Sequence, residues 1–276
     1  QYSKRTNKIM AKAVKKNVSK NKRPLILISN DDGIESLGIN TLAKEISKFA
    51  EVLVAAPHTQ QSAAGHSITV SSAIRATKIV KDKKFFGYAV EGTPADSVKL
   101  AVRNLYKDRK FDLCISGINQ GANTAINIIY SGTVSAATEA TILGIPSIAI
   151  SLGSFSFKDF NPSAKFAAKI AKLVLKNGLP KGTLLNVNIP AVPENKIKGV
   201  LLTKQGKSDW EDSYEERLDP NKRPYYWLVG DHVLSDKTND LDHKAVNEDY
   251  ISITPIHYDL TDYKMLNELQ GWNIKK

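Results

Sequence analysis

Two adjacent acidic residues, Asp31 and Asp32, stand where a short apolar run ends and a helical pattern begins. Like charges side by side repel, so water, backbone N–H groups or a cation must compensate them. A hard divalent cation prefers oxygen ligands, commonly one or two carboxylates completed by waters and other oxygens. The pair therefore predicts either a divalent-metal seat or, in the simpler interpretation, a cap for the following helix.

Two further polar segments, residues 58–69 and 116–140, each follow an apolar run that reads as a buried strand. Ser62 lies in the first segment and Asn119 in the second, and both carry neutral oxygens that could complete a metal shell. Either residue alone would indicate nothing beyond an ordinary loop. The coincidence of all three segments at one predicted edge of a sheet favours a functional site.

Ser131, Gly132 and Thr133 open another helical pattern. Unpaired backbone N–H groups and the helix dipole favour an anion at such a place, although a Ser-Gly-Thr start is equally typical of an ordinary cap. Two carboxylates nearly neutralise one divalent cation, so the metallated site would still accept a phosphate dianion. The pattern predicts metal-assisted hydrolysis of a phosphoester, with water activated by the metal as the nucleophile.

Strand and helix patterns alternate through the first two thirds of the chain, and they must position these residues. Continuous apolar strands separated by helices predict an α/β fold with a mostly parallel sheet covered on both faces. Ligands of such sheets bind at the carboxyl ends of the strands. Strands are predicted at residues 25–29, 51–57, 87–92, 111–117, 146–151 and 183–190, and helices at residues 39–49, 93–106, 133–144 and 163–178.

Composition divides the chain into three parts: a basic flexible tail at residues 1–23, a catalytic domain at 24–196 and a β-rich extension at 197–276. Nine of the 39 Lys and Arg residues precede the domain, so the remaining 30 face 28 acids. This near-neutral body argues against nucleic acid as a partner. The extension is aromatic and turn-rich, and we expect it to pack on the core or to be exchanged between subunits.

The basic tail has no apolar core of a secretory signal, and an organelle-targeting segment is the alternative interpretation. No apolar run reaches the roughly 18 residues that a membrane span needs. Cys114 is the single cysteine and lies in an apolar run, which predicts a buried thiol and a cytoplasmic location.

Two other phosphate-related folds fit the first turn poorly. A dinucleotide-binding fold would carry Gly-x-Gly-x-x-Gly after the first strand, whereas this turn reads Asn-Asp-Asp-Gly. Phosphatases with an aspartyl nucleophile space their acids Asp-x-Asp, which adjacent Asp31 and Asp32 do not match.

Seven ordered segments together resemble the SurE survival-protein family of nucleotidases, and they span nearly the whole body of the chain. They read NDDGIESLGINTLA, APHTQQSAAGHSIT, EGTPADSVKLA, SGINQGAN, YSGTVSAATEA, GIPSIAIS and DYISITPIHYDLTD. The resemblance implies a Rossmann-like α/β domain whose C-terminal β extension is exchanged between subunits in homodimers or homotetramers.

The implied activity is divalent-metal-dependent hydrolysis of nucleoside 5′-monophosphates, and of 3′-monophosphates, to nucleoside and phosphate. One Mg²⁺ or Mn²⁺ per subunit would be held by Asp31, Asp32, Ser62 and Asn119, the same four residues that oxygen chemistry favours. We expect Asn123 and residues 131–133 to hold the phosphoryl oxygens, with Asp31 as the candidate general base.

The family pattern is not matched everywhere. Ala125 stands where a Gly is expected, Asn127 stands where an Asp is expected, and Ala140 follows Glu139 where a Gly is usual. Activity should survive these changes because the four metal ligands are intact. Two alternatives stay open: a short-chain exopolyphosphatase at the same site, or a nucleotide-binding protein without catalysis.

Overall fold

The protein is described here by a computed structural model that covers residues 23–234, 238 and 240–274, so nearly all of the predicted basic tail lies outside the described residues. The strands are β1 (Leu25–Ser29), β2 (Glu51–Pro57), β3 (Ala76–Lys81), β4 (Lys84–Val90), β5 (Leu113–Gln120), β6 (Ser147–Leu152), β7 (Thr183–Ile189), β8 (Gly199–Leu202), β9 (Ser208–Leu218), β10 (Pro224–Leu234) and β11 (Tyr250–His257). The helices are α1 (Leu37–Ile46), α2 (Pro94–Leu100), α3 (Asn127–Tyr130), α4 (Gly132–Ile142), α5 (Asn161–Asn177), α6 (Asp242–Asn247) and α7 (Tyr263–Leu269).

Within the described residues, nine strands form one sheet in the order β3-β4-β2-β1-β5-β6-β7-β11-β8. The strands from β4 to β7 run parallel, while β3 joins one edge antiparallel and β11 pairs antiparallel with β7. Strand β1 lies between β2 and β5, so the connection that follows β1 runs to one side of it, and the later connection from β4 to β5 crosses to the other side. Such a switch point opens a crevice at the carboxyl ends of the two strands.

Helices cover both faces of the sheet, which confirms the predicted α/β class. All five residues of β1 are buried, as expected for a central strand that is covered on each side. Helix α1 packs beside α5 on one face, and α2 packs beside α4 on the other. None of the helices in the described part of the chain has the length and apolarity to cross a membrane.

The predicted elements are largely present, but several differ from the prediction, and α2 ends at Leu100 rather than near residue 106. Strand β3 mixes exposed and half-buried residues at a sheet edge and carries no apolar run that would predict it. Helix α6 has six residues, too few to show a helical period. Strand β5 continues three residues beyond the predicted end, with a register shift against β6 between Ser116 and Asn119. A bulge of this kind re-aims the side chains that follow it.

The C-terminal extension contributes to two different structures. Strands β8 and β11 belong to the main sheet, so the predicted boundary at residue 197 falls inside the sheet. Strands β9 and β10 pair only with each other, in an antiparallel ribbon whose register runs from Ser208 opposite Leu234 to Leu218 opposite Pro224. The described part of the chain therefore holds one large sheet and one separate hairpin.

Candidate active site

An open cleft of about 780 Å³ lies at the switch point, beyond the carboxyl ends of β1 and β5. The structure brings six of the eight predicted site residues to its wall. They are Asp31, Asp32, Ser62, Asn119, Asn123 and Ser131. The other two, Gly132 and Thr133, lie directly behind Asp31.

Asp31 is a buried carboxylate, with 6 % of its surface exposed. Its Oδ1 accepts a hydrogen bond from the hydroxyl of Thr133, which is itself fully buried at the start of α4. Burial raises the pKa of Asp31 to about 6, and the nearby charge of Asp32 adds to this, while the Thr133 hydrogen bond lowers it. The carboxylate is thus oriented by α4 but poorly compensated for its charge.

Gly132 allows α4 to approach Asp31 this closely. A Cβ at position 132 would lie 2.7 Å from the Cβ and 3.0 Å from the Oδ2 of Asp31, and 3.0 Å from Pro94. Ser131 caps the helix, because its Oγ accepts a hydrogen bond of 3.1 Å from the backbone N–H of Val134. The predicted anion seat and the predicted metal seat therefore meet in direct contact.

Asp32 is half-buried and faces the end of β5. Its Oδ2 accepts a hydrogen bond of 3.2 Å from the backbone N–H of Gln120. Burial raises the pKa of Asp32, and this hydrogen bond opposes the rise. The side-chain nitrogen of Asn119 donates to the carbonyl of Gly121 at 2.7 Å, which leaves the Asn119 amide oxygen as its free ligand atom.

Ser62 lies exposed on the loop of residues 58–69, where its Oγ accepts a hydrogen bond of 2.8 Å from Gln60. Several contacts fix this loop. The backbone N–H of Gln61 donates to the carbonyl of Asp31 at 2.8 Å, and that of Gly65 donates to the carbonyl of Tyr130 at 3.1 Å. Backbone contacts thus hold the Ser62 loop against the turn that carries the two carboxylates.

Asp96 anchors the far end of the same loop. It accepts hydrogen bonds from the backbone N–H of Thr69 at 2.9 Å, the Thr69 hydroxyl at 2.7 Å and the backbone N–H of Thr93 at 2.9 Å. Although burial raises the pKa of Asp96, these hydrogen bonds bring it below its usual value. Thr93 caps α2 in return, in a capping box with Asp96 at the third helical position.

Glu139, on α4, connects this helix to the loop of residues 58–69. It is 2 % exposed, and its carboxylate lies 2.5 Å from the Nζ of Lys99 and 3.0 Å from the Nε2 of His66. Burial raises the pKa of Glu139, but the contacts with His66 and Lys99 bring it below its usual value. The buried Glu139 thus links His66 of the loop to helix α4, which begins after its cap Ser131.

Asn123 is held by two buried amides of β7 that the sequence did not single out. Its backbone N–H donates to the Oδ1 of Asn188 at 2.8 Å, and its carbonyl accepts from Asn186 at 2.8 Å and from Asn188 at 3.1 Å. Its own amide nitrogen donates to the hydroxyl of Ser151 at 2.9 Å. Two asparagines alternating in an otherwise apolar strand were the available signal.

Asp242 of α6 binds the next part of the segment that follows β5. This fully buried carboxylate accepts from the backbone N–H groups of Ala125 at 2.9 Å, Gly206 at 3.0 Å and His243 at 2.8 Å. Ala125 adopts the left-handed conformation, with φ of 51°, which explains why a Gly is expected there. Asn127 begins α3 at the cleft wall.

The cleft residues that the sequence did not single out include Phe155, Phe160, His243 and Asn247. The two aromatic residues belong to the segment between β6 and α5, and the two polar residues lie one turn apart on α6. An isolated Phe or His carries no local signal of a site. Only the folding of the C-terminal segment against the sheet brings His243 and Asn247 to the cleft.

Comparisons with known proteins agree with this geometry. The sequence model of the family described as survival protein SurE matches residues 26–212. A protein of Christiangramia forsetii named 5′-nucleotidase SurE is 46 % identical over 92 % of this chain and 98 % of its own length. One of the same name from Chlorobaculum tepidum is 45 % identical over 93 % of this chain and 97 % of its own length.

Solved structures give the same result. The crystal structure of the SurE protein from Aquifex aeolicus superposes with a TM-score of 0.78 at 40 % identity, covering 90 % of this chain and 98 % of that one. The resemblance noted from the sequence is thus confirmed by sequence and by fold, and the chain belongs to the survival protein SurE family.

Proposed function

We propose that the chain is a divalent-metal-dependent phosphomonoesterase that hydrolyses nucleoside 5′-monophosphates, and also 3′-monophosphates, to nucleoside and phosphate. One observation carries the proposal: Asp31, one of the paired carboxylates at the switch point, packs directly against the N-terminal turn of α4 at Gly132, and Asp32 lines the same cleft. Such a pair of seats fits a phosphate bound beside a cation. The curated relatives named 5′-nucleotidase support the choice of nucleotides.

The donor atoms at the cleft fit one Mg²⁺ or Mn²⁺. Asp31, Asp32, Ser62 and Asn119 would hold it, and all four are oxygen donors at the cleft wall. Among the described residues, no group of three or more His, Cys, Asp or Glu side chains is placed to hold a metal, so neutral oxygens must complete the set. When bound, the cation supplies Lewis-acid activation of water and of the phosphoryl oxygens.

The chain's own residues orient the reactants. Thr133 holds the Asp31 carboxylate by donating its hydroxyl hydrogen to Oδ1, and Asp31 is our candidate to accept a proton from the attacking water. The N-terminal turn of α4 at Ser131 and Gly132 offers its backbone N–H groups to the phosphoryl oxygens. Asn123, whose backbone is fixed by β7 and which lines the same cleft, would complete the phosphate seat.

Phosphate release from AMP tests the proposal. Asp32→Asn should lower the turnover rate with Mg²⁺ or Mn²⁺ by at least about 100-fold, since loss of a supporting group alone costs a metal site up to that much. The exposed Asp108→Asn is the matched control and should leave the rate unchanged. Hydrolysis of AMP by Asp32→Asn at the wild-type rate would disprove the scheme. Parallel assays with GMP and tripolyphosphate separate a nucleotidase from an exopolyphosphatase, and binding without release would identify a non-catalytic protein.

We further propose that the β9–β10 hairpin is a subunit interface of a homodimer or homotetramer. An isolated two-stranded ribbon is marginally stable in water, and this one exposes large apolar side chains. They include Tyr214, Leu218, Tyr226, Trp227 and Leu228, each more than half exposed. Sedimentation at micromolar concentration should show an assembly, and a uniform monomer would contradict the proposal.

A cytoplasmic location is also our proposal. It depends on Cys114, the single cysteine of the chain, which is fully buried in the sheet and has its pKa raised to about 12 by that burial. Fluorescence microscopy of the tagged protein tests it, and signal confined to a membrane or an organelle would contradict it.

A further inference from the structure

The wall of the cleft carries an aromatic side chain that the proposed chemistry does not use. Phe155 lies on the segment after β6 and is 83 % exposed, although it lines the same cleft as Asp31 and Asp32. Single exposed apolar residues are common on protein surfaces and need no explanation by themselves. The contacts that fix Phe155 distinguish it from such residues.

Gln120 connects this aromatic residue to the predicted metal seat. The backbone N–H of Gln120 donates to the Oδ2 of Asp32 at 3.2 Å, and its side-chain nitrogen donates to the carbonyl of Phe155 at 2.5 Å. One residue therefore contacts both the carboxylate and the backbone of Phe155. Because the two contacts share Gln120, the backbone of Phe155 is tied to the same strand end that contacts Asp32.

Gly121 gives the ring a place to lie. A Cβ at position 121 would come within 2.5 Å of the Cε1 and 2.7 Å of the Cζ of Phe155, and φ of Gly121 is 121°. The ring packs by its edge against bare backbone that no other residue could provide. Most of the Phe155 side chain stays exposed, and Leu37 and Tyr130 add exposed apolar surface to the same cleft.

A ligand with a phosphate at one end and a flat aromatic group at the other matches this arrangement. We propose that Phe155 is the platform on which the nucleobase of the substrate stacks, an inference that depends on the proposed function. Because every base has a π-face, stacking of this kind binds purines and pyrimidines alike. Phe155 would then select nucleotides over other phosphomonoesters without selecting one base.

Paired substrates test the platform. The ratio of kcat/KM for AMP to kcat/KM for ribose 5-phosphate should fall about tenfold in Phe155→Ala, because alanine substitution of a stacking partner has an effect of that order. Phe155→Leu keeps apolar bulk but lacks a π-face, so its ratio should fall equally. Phe155→Trp should keep the wild-type ratio. Phe85→Ala, which removes a half-exposed ring outside the cleft, is the matched control.

Adenosine, which has no phosphate to lose, separates this inference from the proposed function. Its dissociation constant, measured by calorimetry, should rise about tenfold in Phe155→Ala. If the wild-type protein hydrolyses no nucleotide but Phe155→Ala still weakens adenosine binding, the proposed function fails and the platform stands. An unchanged ratio with unchanged adenosine binding would overturn the platform. So would an equal loss on both substrates with a lower sedimentation mass, which would assign the ring to a subunit contact.

Discussion

Asp31→Asn should make the metal-free protein more stable at neutral pH while it removes catalysis. Burial raises the pKa of Asp31 to about 6, whereas the unfolded chain titrates near the usual 3.8. The folded state therefore holds the proton more tightly than the unfolded state. The stability gained from protonation is complete below about pH 3.8 and is lost as the pH rises through about 6.

The size of the effect follows from the two pKa values. At about pH 7.5 the ionised, buried Asp31 costs about 3 kcal/mol relative to a protonated one, and at about pH 4.5 the cost is about 1 kcal/mol. Asn carries no charge, and its Oδ1 can still accept the hydroxyl hydrogen of Thr133. The free energy of unfolding of Asp31→Asn should therefore exceed that of the wild type by up to about 3 kcal/mol at the higher pH.

Urea denaturation followed by tryptophan fluorescence measures this difference, with chelator present and equal protein concentrations. Asp108→Asn, at an exposed position, controls for the loss of one negative charge. Added Mn²⁺ should stabilise the wild type and not Asp31→Asn, because a ligand stabilises only the state that binds it. The reasoning is refuted if Asp31→Asn is less stable at about pH 7.5, or if its advantage does not change with pH.

Three further substitutions probe the supports of the site. Asp96→Asn should lose about 2 kcal/mol of unfolding free energy near neutral pH, since it weakens three hydrogen bonds to a carboxylate. The loss should shrink as the pH falls through the lowered pKa of Asp96. Urea denaturation at two pH values checks both. Gly132→Ala should lower kcat/KM for AMP about 100-fold with an unchanged circular dichroism spectrum, because the added methyl group displaces the Asp31 side chain; a wild-type rate would contradict the close approach. Glu139→Gln should lower the free energy of unfolding by about 1 to 2 kcal/mol above about pH 5, because it breaks a buried ion pair. The loss stays this small because the partner Lys99 is half-exposed and its charge is screened by solvent. Equal denaturation curves of variant and wild type at that pH would count against the buried pair.

The sequence predicted the central sheet and the first residues of the candidate site because their signals are local. Apolar runs marked β1, β2, β5, β6 and β7, and each predicted polar cluster follows one of the first three runs. The rule that parallel strands end at the same edge then placed Asp31, Asp32 and Asn119 together. No contact between distant residues was needed for that inference.

The supports of the site depend on contacts that no local pattern contains. Asp242 binds the N–H of Ala125 across 117 positions of the chain, and Asn188 binds that of Asn123 across 65. The sequence marked Ala125 as a departure from the family pattern, but its left-handed φ appears only in the fold. Edge strand β3 was missed for a related reason, since it buries too little apolar surface to show a period.

The clasp made by Asp242 has a consequence for how the protein would respond to ligands. Its two oxygens bind the loop of Ala125, at the cleft, and Gly206, two residues before the hairpin strand β9. A cleft occupant that favours one position of the loop and a neighbour that favours one position of the hairpin would act on the same carboxylate. By linkage, the free energy by which a bound cleft ligand favours assembly equals the free energy by which assembly favours binding of that ligand.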